Sequence, residues 1–400
     1  MTQPLLLILI CLSLAYILGE ALRQIGLPRV VGQIGAGMVF SFVETKSSLF
    51  SVQNIDVLTF LANLGIILLF YYVGLETNFL AFTKNVKKSL LISVFNTSLP
   101  LVLGYIAMRM IFGASPLVSV IIGICLSVSA QAVSVDLLEE LNLLKSRIGN
   151  LLVTAGAVDD VVELLLISVV LSVFHVATST FTMDQFLLDI GFFLLLMVLA
   201  KLWLVPFILK LFDRERSSTA RFTGALIIVL LIASLAEYLS IGALIGAIAA
   251  GVLIRQTMSR DITFPKWEEH DISRSIHILA FGFLIPLFFV WIGLNVKLSQ
   301  VWEHAGLILV LFLIATVGTV LGSAIAVVLD RGSWKEGFIL GWGLNPKGDV
   351  ELVIASLALK AGLLTQSLFT ALILMSLLTT IVSPIVFKRL VLKHSAASSG

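Results

Sequence analysis

A succession of long apolar runs, joined by short polar connections, constrains this chain more than any other feature. Runs of about 16–28 apolar residues match the hydrocarbon thickness of a bilayer when coiled as helices. Segmentation yields thirteen candidate spans, at approximately 4–22, 28–43, 56–75, 86–112, 116–141, 148–174, 183–211, 221–239, 241–257, 274–296, 303–329, 334–361 and 366–390. The split at Ser240 between the eighth and ninth is the least marked. Hydrophobic residues form 59% of the chain and charged residues 12%, with a mean hydropathy of +1.09. That leaves too little polar surface for a soluble domain. The opening stretch, MTQPLLLILICLSLAYILGEAL, lacks a basic leader and a cleavage site, so it reads as a first membrane helix. The longest polar connection, about 255–273, is too short for an extramembrane domain. Cys11 and Cys125 lie in apolar stretches without paired spacing, so neither a disulfide nor a metal site is expected, and no cofactor or nucleic acid is implied.

The basic residues give the expected orientation. Of 26 Lys and Arg, 20 fall in loops on one side if the N-terminus faces outward. Four fall on the other side (Lys46, Arg109, Lys297, Lys360), and Lys201 and Lys347 lie within spans. The positive-inside rule then places the N-terminus outside and a short tail, 391–400, in the cytoplasm.

An internal duplication follows. GQIGAGMV at Gly32 matches GAIAAGVL at Gly246, and LGIILLFYYVGLE (64–76) matches FLIPLFFVWIGLN (283–295). The two offsets, 214 and 219, agree closely enough to be one repeat. A similar offset carries SVSAQAVS (127–134) onto LNPKGDVE (344–351). Five spans per unit give the two units opposite membrane orientations, the inverted-repeat plan of secondary transporters. Both matched polar stretches predict broken helices crossing near the midplane. Pro346 cannot donate a backbone hydrogen bond, and Ser129, Gln131 and their neighbours supply oxygens to freed backbone groups.

The sixth span contains AGAVDDVVELLL, placing Asp159, Asp160 and Glu163 within an apolar run. A charge at the centre of a spanning helix costs roughly 2.5–3.5 kcal/mol, so intramembrane carboxylates point to ion or proton binding. A structural ion pair is the alternative reading. Glu163, one turn further on, Asp349 and Glu351 at the second break, and Lys347 just before them stay open between ion chemistry and charge compensation. Glu76, at a span end, reads more simply as a charge reaching the interface.

LPRVVGQIGAGMVF, LGIILLFYYVGLE, GNLLVTAGAVDDVVELLL, LSIGALIGAIAAGVLI, PLFFVWIGL and GWGLNPKGDVELVIA together resemble the second family of monovalent cation:proton antiporters. That family includes bacterial sodium/proton antiporters and the membrane parts of potassium efflux systems. The resemblance implies an all-α, thirteen-helix fold in the inner membrane, a secondary transporter and not an enzyme, working as a homodimer. It implies a dimer part (1–82 and 221–297), an ion-translocating core (84–174 and 303–390) and a linker helix (183–211). It assigns Na⁺ or K⁺ and proton binding to Asp160 and Asp159, with Asp160 the direct carrier. One departure is visible. Many electrogenic members of the family carry a lysine in the eleventh span that pairs with the first aspartate, and Thr319 stands there in VGTVLG. Either Lys347 replaces it from the crossing helix, or Asp159 goes through the cycle without a basic partner.

The chemistry is that of competition. A carboxylate supplies the charge that offsets dehydration of a hard cation, and the same group takes a proton when the cation leaves. Three other classes compete: a potassium/proton efflux or channel-like system lacking its regulatory domain, a non-transporting sensor of the same fold, and an intramembrane aspartyl protease. The last would need a Tyr-Asp context that Val158-Asp159 lacks.

Overall fold

A computed structural model describes residues 2–43, 51–76, 86–130, 134–135, 137–138, 141, 143, 146–156, 158–159, 162–163, 166, 183–213, 217–239, 241–260, 266–297 and 301–398. Among the described residues the regular structure is entirely helical. In chain order the first helices are α1 (Thr2–Gln24), α2 (Arg29–Val43), α3 (Val52–Glu76), α4 (Val86–Met110) and α5 (Pro116–Ser127). Helical residues 147–156, 158–159 and 162–163 make up the Asp159 segment. There follow α6 (Met183–Leu199), which passes through a π turn at Ala200–Leu204 into α7 (Val205–Asp213), then α8 (Ser218–Tyr238) and α9 (Ala243–Arg260). Next, α10 (Lys266–Leu279) passes through a second π turn, Ala280–Leu284, into α11 (Ile285–Leu294). The last are α12 (Ala305–Leu329), α13 (Trp334–Leu344), α14 (Asp349–Lys360) and α15 (Gln366–Ser398). Eight described helices are long and apolar enough to cross a membrane, and two shorter apolar ones accompany them. The chain is a multi-pass membrane protein.

The described parts of the expected spans fall on these helices; much of 131–141 and the end of the sixth span, 167–174, lie outside the described residues. The least marked boundary is real: α8 stops at Tyr238, the chain turns through Gly242 at φ +101°, and Glu237 Oε2 accepts the Ala243 N–H at 2.8 Å to open α9. Gly242 is suited to that turn because a side chain would be strained at positive φ. Both expected breaks are also present. The fifth span ends as helix at Ser127, and Val128–Ala130 are extended or irregular. The twelfth divides into α13 and α14 around Asn345–Gly348.

The duplication reappears in the packing. A Cβ on Gly32 would strike the backbone of Leu18 and Gly19 in α1, and a Cβ on Gly246 would strike Ile232 and Ala233 in α8, 214 residues later. The second glycine pair behaves reciprocally. Gly74 of α3 rests on Ile248 of α9, while Gly293 of α11 rests on Ile34 of α2. Each repeat therefore lends one helix to the other, an exchange that small residues allow by letting backbones touch.

The chain divides into two compact units. One comprises Met1–Leu12, Ser48–Thr77 and Ser168–Trp291, and is built on α3 against α9 and α8 against α9. Trp291 Nε1 donates to Thr59 Oγ1 at 3.0 Å within it, and Lys201 Nζ donates to Gln256 Oε1 at 2.7 Å.

The other unit comprises Ser13–Ser47, Asn78–Ile167 and Ile292–Gly400. Its spine is α12 packed along α4. The two approach closely because Gly322 has no Cβ: one placed there would lie 2.3 Å from the Phe95 carbonyl oxygen. Around that spine, Ile92, Leu152, Val327, Leu340 and Phe387 close a core shared by α4, the Asp159 segment, α12, α13 and α15. A Ser333–Glu336 capping box starts α13, and Glu336 also pairs with Arg147 at 3.1 Å. That ion pair ties the start of α13 to the start of the Asp159 segment.

Candidate functional site

The site lies inside the second unit, where the two broken helices meet. The backbone of one break bonds to the other: Ala130 N–H donates to the Pro346 carbonyl at 2.6 Å. The contact is close because Gly348 faces Ala130; a Cβ at Gly348 would come within 2.5 Å of Ala130 Cβ. Pro346 contributes an acceptor without a donor, so it bonds across the crossing without requiring a partner of its own.

Asp159 is buried, 1% exposed, and α4 surrounds it with neutral donors. Ser93 Oγ donates to Oδ1 at 2.9 Å, Thr97 Oγ1 donates to Oδ1 at 3.1 Å, and Asn96 Nδ2 donates to Oδ2 at 2.9 Å. These three residues sit at i, i+3 and i+4 in ISVFNTSL, so they share one face of α4. Asn96 Nδ2 also reaches Ser129 Oγ at 3.2 Å, and Ser323 Oγ of α12 donates to Asn96 Oδ1 at 3.4 Å. Asn96 thus joins Asp159, the α5 break and α12. Glu163, also buried, accepts the Ser129 N–H at 2.5 Å and so fixes the same break from the Asp159 segment.

Lys347 is fully buried at the other break. Its ammonium donates to Thr319 Oγ1 at 3.3 Å, and the carboxylates of Glu351, Glu163 and Asp159 act on it electrostatically. The Lys347 ammonium therefore arrives from the second break at the α12 position where the family resemblance expects a lysine. Glu351, on α14, accepts from Ser376 Oγ at 2.7 Å. Asn345 Nδ2 donates to Ser383 Oγ at 2.8 Å and to Thr316 Oγ1 at 3.3 Å.

Of the residues singled out in the sequence, the structure brings Asp159, Ser129, Glu163, Lys347, Thr319 and Glu351 into one buried neighbourhood. Asp160 and Gln131 lie outside the described residues, as do the side chains of Glu76 and Asp349. Sequence reasoning passed over Ser93, Asn96 and Thr97. Their signal was a helically spaced polar triplet in an apolar span, which looks ordinary until a carboxylate is found facing it.

A cluster of this kind can hold a hard monovalent cation or a proton. It offers a carboxylate with hydroxyl oxygens around it, set beside the unwound backbone of two helix breaks.

Comparison with known proteins agrees with this architecture. The family described as sodium/hydrogen exchanger, transmembrane, matches residues 8–393. The chain is 30% identical over 370 residues to a Bacillus cereus protein named Na(+)/H(+)-K(+) antiporter GerN, covering 92% of each. It is 27% identical over 368 residues to a Na(+)/H(+) antiporter of Enterococcus hirae, again covering 92% of each. A solved structure, the sodium proton antiporter MjNhaP1 from Methanocaldococcus jannaschii at pH 8, superposes with a TM-score of 0.69 at 14% identity, covering 98% of both chains. At that identity the likeness is one of fold.

Proposed function

The chain belongs to the sodium/hydrogen exchanger family, and on that basis we propose that it is a secondary antiporter exchanging a monovalent cation, Na⁺ or else K⁺ or Li⁺, for protons through competition at Asp159 and Asp160. The observation that carries this reading is the fully buried Asp159 carboxylate, held by Ser93, Asn96 and Thr97 beside the crossing of two broken helices. Asp160 is the direct carrier and Asp159 its neighbouring ligand, with Ser129 and Gln131 supplying further oxygens. Lys347, seated at Thr319, supplies the fixed positive charge. Glu163 holds the α5 break in register, and Asp349, Glu351 and Glu76 adjust the surrounding charge.

Competition becomes antiport through the cost of crossing empty. A carboxylate carrying neither ion nor proton adds a net charge to the moving part, at roughly 2.5–3.5 kcal/mol on insertion scales. At about 1.4 kcal/mol per factor of ten, the empty transition is suppressed on the order of 100-fold relative to the loaded one. The core (84–174 and 303–390) then alternates its access against the dimer part (1–82 and 221–297), with 183–211 as the linker. The assembly is a homodimer in the inner membrane, N-terminus outside and the 391–400 tail in the cytoplasm.

The test uses purified protein in liposomes with an imposed pH gradient and an internal pH dye. Na⁺, Li⁺, K⁺ and choline are added in turn, under a potassium/valinomycin clamp where voltage is varied. Collapse of the gradient by a cation but not by choline, lost in Asp160→Asn while the variant remains folded, is the expected result. Wild-type exchange in Asp160→Asn would remove the site assignment. Failure of every cation with folded protein would favour a sensor or a channel-like system.

A further inference from the structure

α8 and α9 form a helical hairpin with a single charge in its interior. Between Arg221, near the start of α8, and Arg255, near the end of α9, Glu237 is the only Asp, Glu, Lys or Arg. It stands at the last turn of α8, on the membrane surface where the chain passes through Gly242 into α9. Its Oε2 accepts the Ala243 N–H at 2.8 Å. That cap uses one oxygen and requires no charge, since Ser, Thr and Asn cap helices as well. Among the described residues Glu237 makes no ion pair and no second hydrogen bond, so Oε1 is left over. The helices around it hold their cations elsewhere. Arg221 lies 16 residues back along α8, roughly 24 Å away, and Arg255 lies 12 residues beyond Ala243, roughly 18 Å along α9. The third neighbour, α3, has no Lys or Arg between Val52 and Glu76.

Beneath Glu237 lies a groove of about 410 Å³, lined by Ile67 of α3 and by Leu230, Ala233, Ser234 and Tyr238 of α8. All of it belongs to the first unit. Leu230, Ser234 and Glu237 recur at i, i+4 and i+7, so they share one face of α8, which carries the groove roughly 10 Å from the surface into the hydrocarbon. The face is open: Leu230 is 45% exposed and Tyr238 is 86% exposed. Its polarity is graded with depth. The Glu237 carboxylate and the Tyr238 ring stand at the surface, an amphipathic ring being favoured at headgroup level. The Ser234 hydroxyl comes one turn deeper, and below it Leu230 and Ile67 are apolar. A phospholipid has the same profile of headgroup, ester oxygens and acyl chain.

We propose that this groove is a phospholipid site selective for a headgroup that ends in a primary ammonium. The ammonium donates to Glu237 Oε1, the Ser234 hydroxyl donates to an ester or phosphate oxygen, and one acyl chain lies along Leu230 and Ile67. Charge decides the headgroup. An anionic lipid would set its net negative charge against a carboxylate, and a trimethylammonium has no N–H to donate. A second copy seated through the same face would bring two Glu237 carboxylates together, with no basic residue on α3, α8 or α9 close by. The site lies apart from the aspartates and does not rest on the antiport reading.

The test uses the purified full-length chain in mild detergent with phosphatidylethanolamine, phosphatidylcholine and phosphatidylglycerol of matched chains. Bound lipid is counted by native mass spectrometry, and a diazirine in the acyl chain maps the contact. Wild type should retain the ethanolamine lipid roughly tenfold more tightly than the glycerol lipid, the fold-change expected of one charge-assisted hydrogen bond. The diazirine should label the 230–238 segment or Ile67. Glu237→Gln keeps an oxygen for the Ala243 N–H and should abolish the headgroup preference, whereas Ser234→Phe fills the groove and should remove the label. An unchanged preference in Glu237→Gln, or label confined to other segments, overturns the proposal. If Glu237→Gln does not fold, label that persists in Ser234→Phe overturns it equally. Loss of a dimer in Ser234→Phe with lipid retention intact would assign the groove to a second copy and overturn it as well.

Discussion

Lys347→Met is the most informative perturbation, because the structure specifies what should rescue it. The substitution keeps most of the side-chain volume and removes the ammonium from a buried neighbourhood that holds Asp159, Glu163 and Glu351. Deleting one partner from a buried ionic cluster costs about 3–5 kcal/mol, since the remaining charges are left without compensation. At roughly 2–4 °C per kcal/mol for large domains, melting should fall by on the order of 10 °C. The Lys347 ammonium lies 3.3 Å from Thr319 Oγ1, so a Thr319→Lys change returns a positive charge to nearly the same place. Lys347→Met combined with Thr319→Lys should therefore recover about half the loss or more. Lys347→Met combined with Thr319→Met should recover nothing, which separates charge from volume. Thermal melts of detergent-purified protein, with and without sodium, read all three. Unchanged stability in Lys347→Met, or a Thr319→Lys double variant no better than the single, would refute the claim that Lys347 balances this cluster from the crossing strand.

Asn96→Ala removes the amide that donates to Asp159 and to Ser129, and a hydrogen bond to a charged group contributes about 1.5–3 kcal/mol. Apparent cation affinity in the liposome assay should weaken roughly 10- to 150-fold, and an unchanged affinity would show that α4 does not organise the site. Gly322→Leu forces a side chain into a place where even a Cβ would lie 2.3 Å from the Phe95 carbonyl oxygen, separating α12 from α4. It should cost about 1–3 kcal/mol in stability and reduce exchange by about 100-fold through displacement of Asn96; normal exchange in the variant would show that the α4–α12 spacing is not critical.

Much of the fold was legible in the chain because bilayer helices announce themselves. Every backbone polar group must be satisfied within the segment, so apolar length alone marks a span, and α1, α4, α12 and α15 begin or end close to the expected limits. The breaks were legible for the converse reason. Pro346 with two flanking glycines, and a run of serines in an apolar span, are tolerated only where other groups can satisfy the freed backbone. Less legible were the π turns at Ala200–Leu204 and Ala280–Leu284, because each inserts one residue into a helix without changing its hydrophobicity.

Many membrane crossings, a duplicated pair of halves, and carboxylates placed within apolar runs could all be read along the chain. Those conclusions follow from length, periodicity and the cost of burying charge, which are local or additive in sequence. Which groups meet is a different matter, settled by folding. Ser93, Asn96 and Thr97 become donors to Asp159 because α4 packs against the Asp159 segment, 62 or more residues away in sequence. Lys347 reaches Thr319 across 28 residues because α13 breaks beside α12. Such pairings depend on where separate helices come to rest, and side-chain reach and backbone approach, set here by Gly322 and Gly348, fix that in three dimensions.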